Sequence, residues 1–335
     1  MKLVLSFLLI NNALGAGSNA KCTEKKGVCN RYTPCCNSEG WCGKGFEYCG
    51  LGCHEEGNFD GVKCFPQAPC KGGDFTFNAS RIISESEYKK KGDFKQYDFK
   101  VHGDYSVEGD EIVLKMSKSG AGTAIQSTRY VDFGRITAVM KTSRGAGVVS
   151  SFITMSDVKD EIDFEWLGKN TTAFQSNWFQ EGHFPTWPET HGATHPQPDS
   201  FANYNTYTID WNPERIIWIV NGKSIRTYSG KEYPKTPSLF SFGIWDGSSG
   251  SNGTREWAGG SVDWSSADMK KDGFYSVRVK SVSVECFREP AFKDEDFILT
   301  KAGLVPKRDS AMYGSASFHR PTLLVAFAAS LVTLL

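Results

Sequence analysis

The 335-residue chain has no excess of charge of either sign: 38 lysines and arginines balance 38 aspartates and glutamates. That balance gives no electrostatic ground for nucleic acid as a partner. None of its ten cysteines forms a Cys-x-x-Cys step, so the paired ligands of a zinc ribbon are missing. The glycine-rich stretch "GIWDGSSGSNGTREWAGG" holds no lysine, which removes the phosphate-gripping group of a nucleotide loop. Nor does any long stretch set apolar residues at helical spacing, so a helical bundle is excluded. No metal, cofactor or nucleotide is expected.

What the chain has is aromatic residues, at 13%, and 34 glycines. From Asp74 onward, short apolar or alternating runs are punctuated by turn residues: "EIVLKMS", "RITAVMKT", "VVSSFITM", "YTIDW", "RIIWIVNGKSIRTY" and "YSVRVKSVSVE". These read as strands. Asn221-Gly222 supplies the two positive φ values of a type I′ hairpin. Regular short strands predict a mainly β fold, a two-sheet β-sandwich over residues 71–290.

Both ends carry processing signals. "MKLVLSFLLINNALGAGSNA" has one lysine, an apolar run and then small residues, which is a secretory signal over residues 1–20. At the other end Thr322–Leu335 is uncharged and follows Gly314, Ser315 and Ala316. That fits a glycosylphosphatidylinositol (GPI) signal, with 315–335 removed and Gly314, or alternatively Ser310, as the attachment site. A C-terminal membrane helix is the competing reading. Residues 291–314 read as a short polar linker. A secreted, anchored chain makes the sequons at Asn78, Asn170 and Asn252 candidates for glycosylation, and makes the cysteines candidates for disulfides.

Eight of those cysteines fall between Cys22 and Cys64. So short a piece cannot bury a sufficient core and must be held by bridges. The order Cys22-x6-Cys29-x5-Cys35-Cys36-x5-Cys42-x6-Cys49-x3-Cys53 resembles the hevein-like chitin-binding module, here spanning residues 21–70. The resemblance implies the pairs Cys22–Cys36, Cys29–Cys42 and Cys35–Cys49. It leaves Cys53, Cys64, Cys70 and Cys286 for two further bridges, one of them tying the start of the next domain to its end. Such modules stack sugars on aromatic rings, and Trp41 and Tyr48 stand at two of those positions. Asn37 replaces the usual serine and Glu39 replaces an aromatic. The module is therefore either a weak chitin binder or a relic that positions the next domain.

The stretch "DEIDFEWLG" alternates Glu161, Asp163 and Glu165 with Ile162, Phe164 and Trp166. On a strand rising ~3.3 Å per residue the two glutamates have Cα atoms roughly 13 Å apart, and their side chains can lean together. A retaining glycosidase needs two carboxyls ~5–5.5 Å apart, one to attack and one to protonate the leaving oxygen. Mutual repulsion then helps, because it keeps one member protonated near neutral pH. The bland alternative is a solvated acidic strand face.

Asp160-Glu161-Ile162-Asp163-Phe164-Glu165 looks like the active-site strand of family 16 glycoside hydrolases. "TAIQSTRYVDFGRITAVMK", "YTIDWNPERIIWIVNGKSIRT" and "GIWDG…GTREWAGG" are similar to fungal cell-wall crosslinking enzymes of the Crh class. These are glycolipid-anchored chitin–glucan transglycosylases with a β-jelly-roll fold. The resemblance implies Glu161 as nucleophile, Asp163 as assisting carboxylate and Glu165 as general acid/base. It implies chitin and β-1,3/β-1,6-glucan as polysaccharide partners, and Trp245, Thr254 and Trp257 in the donor site. Ser241 stands where relatives carry a basic residue. Gln175, Asn177 and Trp178, just past the acidic stretch, are further substrate-binding candidates beside Glu165. Trp211 and Trp218 fit the core better than the cleft. His183, His191 and His195 lie in a proline-rich loop with no helix to set ligand spacing, and read as a cleft edge. A hydrolase using water as acceptor shares every feature of the site; a non-catalytic wall lectin has no need of three facing carboxylates.

Overall fold

The computed structural model describes residues 21–23, 26, 28–120, 122–183 and 192–309. The expected leader, His191, both candidate attachment sites and the C-terminal tail lie outside them. Among the described residues no helix is long and apolar enough to cross a membrane.

The chain begins with a small bridged unit of strands β1 (Cys35–Cys36) and β2 (Cys42–Gly43) and helix α1 (Phe46–Cys49). Disulfides join Cys22–Cys36, Cys29–Cys42, Cys35–Cys49 and Cys53–Cys64. The first three are the pairs that the module resemblance implies. Cys70 bonds to Cys286, closing the beginning of the following unit onto its last long strand.

That unit starts with β3 (Gly73–Phe75), β4 (Ile82–Ser84), α2 (Glu85–Lys91) and β5 (Phe99–His102). Next come β6 (Asp104–Glu108), β7 (Glu111–Met116), β8 (Gly122–Ser127) and β9 (Gly134–Lys141). The middle of the chain gives β10 (Val148–Ser156), β11 (Glu161–Leu167), β12 (Ala173–Phe179) and β13 (Ala193–Pro196). A meander follows: β14 (Asn205–Asn212), β15 (Arg215–Val220) and β16 (Lys223–Tyr228). The unit ends with β17 (Ser238–Asp246), α3 (Asn252–Ala258), α4 (Ala267–Asp272) and β18 (Tyr275–Cys286).

Two sheets result. One has the order β13-β12-β11-β10-β17-β8-β5-β4, the other β16-β15-β14-β9-β18-β7-β6, with β3 paired to β18. Asn221 and Gly222 both take positive φ, as the hairpin between β15 and β16 requires. Each strand sends alternate residues between the sheets. From β11 these are Ile162, Phe164 and Trp166, which meet Tyr207 of β14: its ring centroid lies 5.5 Å from Phe164 and 4.7 Å from Trp166. Trp211 and Trp218 are fully buried in the same core, and Trp218 Nε1 donates to the Asp163 carbonyl at 2.8 Å. The inward aromatics thus fix β11 from behind.

Two expectations are corrected here. Trp178 does not face the cleft. It sits opposite Ile162 in the β11–β12 register, is 1% exposed, and packs 4.9 Å from Tyr228 in the core. Strand parity requires this, because Gln175 and Asn177 occupy the other face. The supposed linker after residue 290 instead folds through residue 309 as a hairpin, β19 (Phe297–Thr300) and β20 (Gly303–Pro306). One face of it is buried: Phe297 and Leu304 pack against Phe94 and Ala68, and Val305 against Tyr88, while Ile298 and Leu299 stay exposed. Arg129 grips Asp294 through two hydrogen bonds of 2.6 and 2.7 Å.

A core role for Trp178 has a measurable consequence. Trp178→Ala should cost about 3–5 kcal/mol in equilibrium denaturation. A loss of ligand affinity with stability unchanged would return the ring to the cleft.

Candidate active site

The outward residues of β11 are the three acids, and the neighbouring strands decide their surroundings. Glu161 lies between Met155 and Phe179, Asp163 between Ile153 and Asn177, and Glu165 between Ser151 and Gln175. Asp163 is only 2% exposed, while Glu161 and Glu165 are half-buried. Three carboxyls thus share a strip that water reaches poorly.

Burial disfavours the charged form of each, and mutual repulsion adds to it. For Glu161, burial raises the pKa to about 6, partly offset by a hydrogen bond with Asp163 and by the Lys159 charge. Glu165 has no such relief: burial, then the Glu161 charge, push it to about 8. Asp163 is raised well above the usual carboxylate range by burial and by both glutamates. Near neutral pH the row therefore holds one ionised carboxylate, Glu161, with protonated Asp163 hydrogen-bonded to it and protonated Glu165 beyond. Such a split of proton affinities is what an acid and a nucleophile working side by side require.

The row is anchored at both ends. Asp160, buried with its carboxylate turned away from the row, accepts from the Glu181, Lys235 and Thr236 amides at 2.9, 2.8 and 3.1 Å. The Thr236 hydroxyl adds a bond of 2.8 Å. At the other end the Gly168 amide donates to the Val148 carbonyl at 2.8 Å.

Beside Glu165 opens a cavity of about 250 Å³, lined also by Gln175, Lys169, Asn170, Thr194 and Trp257. Its wall is α3, capped by Ser251, whose hydroxyl accepts from the Thr254 amide at 3.2 Å. Trp257 Nε1 donates to Gln175 Oε1 at 2.8 Å, and its ring lies 6.0 Å from that of Trp245 in a stacked pair. Lys169 Nζ donates to the Trp257 carbonyl at 2.6 Å, across the gap between the β11–β12 turn and the end of α3. Gly259 ends the helix at φ +96, where a Cβ would stand 2.5 Å from Lys169 Cδ, so glycine leaves room for this latch.

The structure brings together Glu161, Asp163, Glu165, Gln175, Asn177, Trp245 and Trp257. Thr254 sits nearby but is buried in the helix cap, its hydroxyl 3.0 Å from that of Ser251. Lys169 and Asp160 escaped the sequence reading, since each acts through partners distant in the chain. His195 lies in β13 with Nε2 2.9 Å from the Ser176 hydroxyl, and His183 pairs through its backbone with Gln180. Among the described residues, the sulfurs of Cys22, Cys29 and Cys42 lie within mutual reach, but all are consumed in disulfides. Asn78, Asn170 and Asn252 are all exposed. In the small unit Trp41 is 40% exposed, Tyr48 is half-buried, and Asn37 spends its carbonyl on the Glu39 and Trp41 amides at 3.1 and 2.9 Å.

Residues 93–266 match the family described as "Glycosyl hydrolases family 16". Crh-like protein 3 of Botryotinia fuckeliana is 36% identical over 271 residues, covering 77% of this chain and 60% of that protein. Crh-like protein 2 of Aspergillus fumigatus is 35% identical over 308 residues, covering 87% and 68%. The chain thus spans about six-tenths to two-thirds of the length of these relatives. Among solved structures, the apo Crh5 transglycosylase superposes with a TM-score of 0.56 at 30% identity, over 68% of this chain and 90% of that one. The Crh5 transglycosylase in complex with NAG gives 0.55 at 31% identity, over 68% and 89%.

Two outcomes are expected. The pH profile of kcat/KM should be bell-shaped: rising through about 6 as Glu161 ionises and falling through about 8 as Glu165 loses its proton. A profile flat across that window would remove the assigned proton states. Lys169→Ala should weaken ligand binding by roughly fivefold, about 1 kcal/mol, through loss of the latch on Trp257. Fluorescence titration with an N-acetylglucosamine tetramer measures it, and unchanged affinity would make the latch irrelevant to binding.

Proposed function

We propose that this chain, which belongs to glycosyl hydrolase family 16, is a retaining transglycosylase that cuts chitin and passes the fragment to β-glucan. The observation that carries the reading is the row of three outward, poorly solvated carboxyls with separated proton affinities. Glu161, ionised, attacks the anomeric carbon of a bound N-acetylglucosamine unit and forms a glycosyl ester. Glu165, protonated, gives its proton to the departing glycosidic oxygen. Asp163 donates a hydrogen bond to ionised Glu161; that bond weakens as the ester forms and is regained as Glu161 departs, so Asp163 assists the second step by stabilising the leaving carboxylate. The ionised Glu165 then takes the proton of an incoming sugar hydroxyl, which attacks the ester and frees Glu161. One glycosidic bond breaks and one forms, so no activated sugar is needed.

Trp257 and Trp245 offer rings on which pyranose faces stack, and Gln175 both orients Trp257 and borders Glu165. The NAG bound in the related Crh5 structure supports an N-acetylglucosamine donor. The same ester would yield hydrolysis were water the acceptor, and an aromatic wall that displaces water favours the sugar. A secreted protein held by a GPI anchor at the cell wall or the outer face of the plasma membrane suits this chemistry, which consumes no nucleotide sugar. Five disulfides fit an oxidising compartment. Glycans on the exposed sequons fit the same route.

Fluorescent chito-oligosaccharide acceptors should become attached to polymer in the presence of the protein. Release of free reducing sugar alone would identify a hydrolase. Glu161→Gln and Glu165→Gln should each reduce transfer by at least about a hundredfold with the fold intact by circular dichroism. An unchanged rate in either variant would strip that residue of its role.

A further inference from the structure

The cysteine-rich unit is joined to the catalytic sandwich by contacts a flexible tether would lack. Its α1 sets the Phe46 ring edge-on to Tyr88 of α2 at 5.7 Å, and both side chains are buried with Phe65, Ile83 and Val305. The turn of the C-terminal hairpin reaches into this junction: the Phe46 amide donates to the Ala302 carbonyl at 3.1 Å. Gly303, at φ +97, brings its backbone so close to α2 that a Cβ there would lie 2.7 Å from the Lys91 carbonyl oxygen. Module, α2 and hairpin meet at one point.

The connector after the module is pinned as well. The Phe65 amide donates to the Cys49 carbonyl at 2.6 Å. The Ala68 carbonyl accepts from the Tyr130 amide at 3.1 Å, and the Pro69 carbonyl from Arg129 at 3.1 Å. Gln67 Nε2 donates to Asp157 at 2.9 Å, and the Tyr130 hydroxyl holds the other Asp157 oxygen at 2.8 Å. Asp157 lies in the turn between β10 and β11, four residues before Glu161. In that same turn the Ser156 amide bonds the Asp160 carbonyl at 2.9 Å, and the Ser156 hydroxyl accepts from the Asp160 amide at 2.9 Å.

We propose that the module is a brace for the nucleophile, clasped by the 297–306 hairpin, and not a tethered sugar-capturing unit. A continuous set of contacts runs from Phe46 through the connector and Gln67 to Asp157, and so to the turn that places Glu161. Gln67 and Asp157 are positioning residues. The disulfides stiffen the unit at the outer end of this path. A brace acts on every substrate, including those too short to reach the module. A tether would act only on long chains, by raising their local concentration.

This inference rests on Glu161 as the nucleophile, and the full chain tests it through Phe46→Ala and Gly303→Val with short soluble N-acetylglucosamine oligomers as donor and acceptor. The temperature is chosen so that near-ultraviolet circular dichroism shows both variants folded. The brace predicts that kcat falls by roughly tenfold while the donor KM stays within about twofold, because a misplaced nucleophile loses rate and not affinity. Gln67→Ala, which leaves the hydrophobic junction intact, should lower kcat in the same direction. An active parent whose three variants keep its kcat would overturn the brace. An inactive parent would instead refute the proposed activity on which the inference rests.

Discussion

The molecule depends on one strand facing two ways. Ile162, Phe164 and Trp166 of β11 are driven between the sheets by the hydrophobic effect, and alternation then forces Glu161, Asp163 and Glu165 together on the outer face. Their repulsion would be relieved by rotating the strand, but rotation would expose three large aromatic or branched groups, each worth about 1.5–3 kcal/mol of burial. The aromatic core wins, and the carboxyls stay in a strip bordered by Met155, Ile153 and Phe179. The electrostatics of the carboxyl row are a product of core packing.

The arrangement carries a stability cost with a definite sign. Glu165 holds its proton more tightly in the folded chain than an ordinary glutamate does, up to about pH 8. The folded state therefore binds more protons than the unfolded one, and this group's contribution to stability falls as pH rises from the usual carboxylate range toward 8. Glu161 does the same up to about pH 6. The anchors around Asp160, the latch from Lys169 and the stacked core rings hold the acids in place against that cost. A strand whose acids oppose one another's ionisation needs such a rigid frame.

Much of this was legible in the sequence because it is local. Alternation in "DEIDFEWLG" set which residues share a face, Asn221-Gly222 announced its hairpin, and the turn-rich strands announced a sandwich. What was hidden depended on parity or on distance along the chain. Trp178 was misread because its neighbours Gln175 and Asn177 already occupied the outer face. The hairpin at 297–306 was hidden by its charged flanks and by strands too short to show a period. Lys169 meets Trp257 from 88 positions away, and Asp160 meets Lys235 from 75. Contacts of that kind follow from strand order: β10 pairs with both β11 and β17, and so brings the segments before and after β17 near the two ends of β11. No window of sequence contains both partners.

The central claim is that the two glutamates of one strand hold their protons differently. Carbon-13 NMR titration of carboxyl-labelled glutamate, with Glu161 and Glu165 assigned by difference against their Gln variants, measures it. The account predicts that Glu161 titrates near 6 and Glu165 near 8, so that only Glu165 keeps its proton at neutral pH. Both carboxyls titrating together in the ordinary range of exposed glutamates, or Glu161 keeping its proton longer than Glu165, would contradict it.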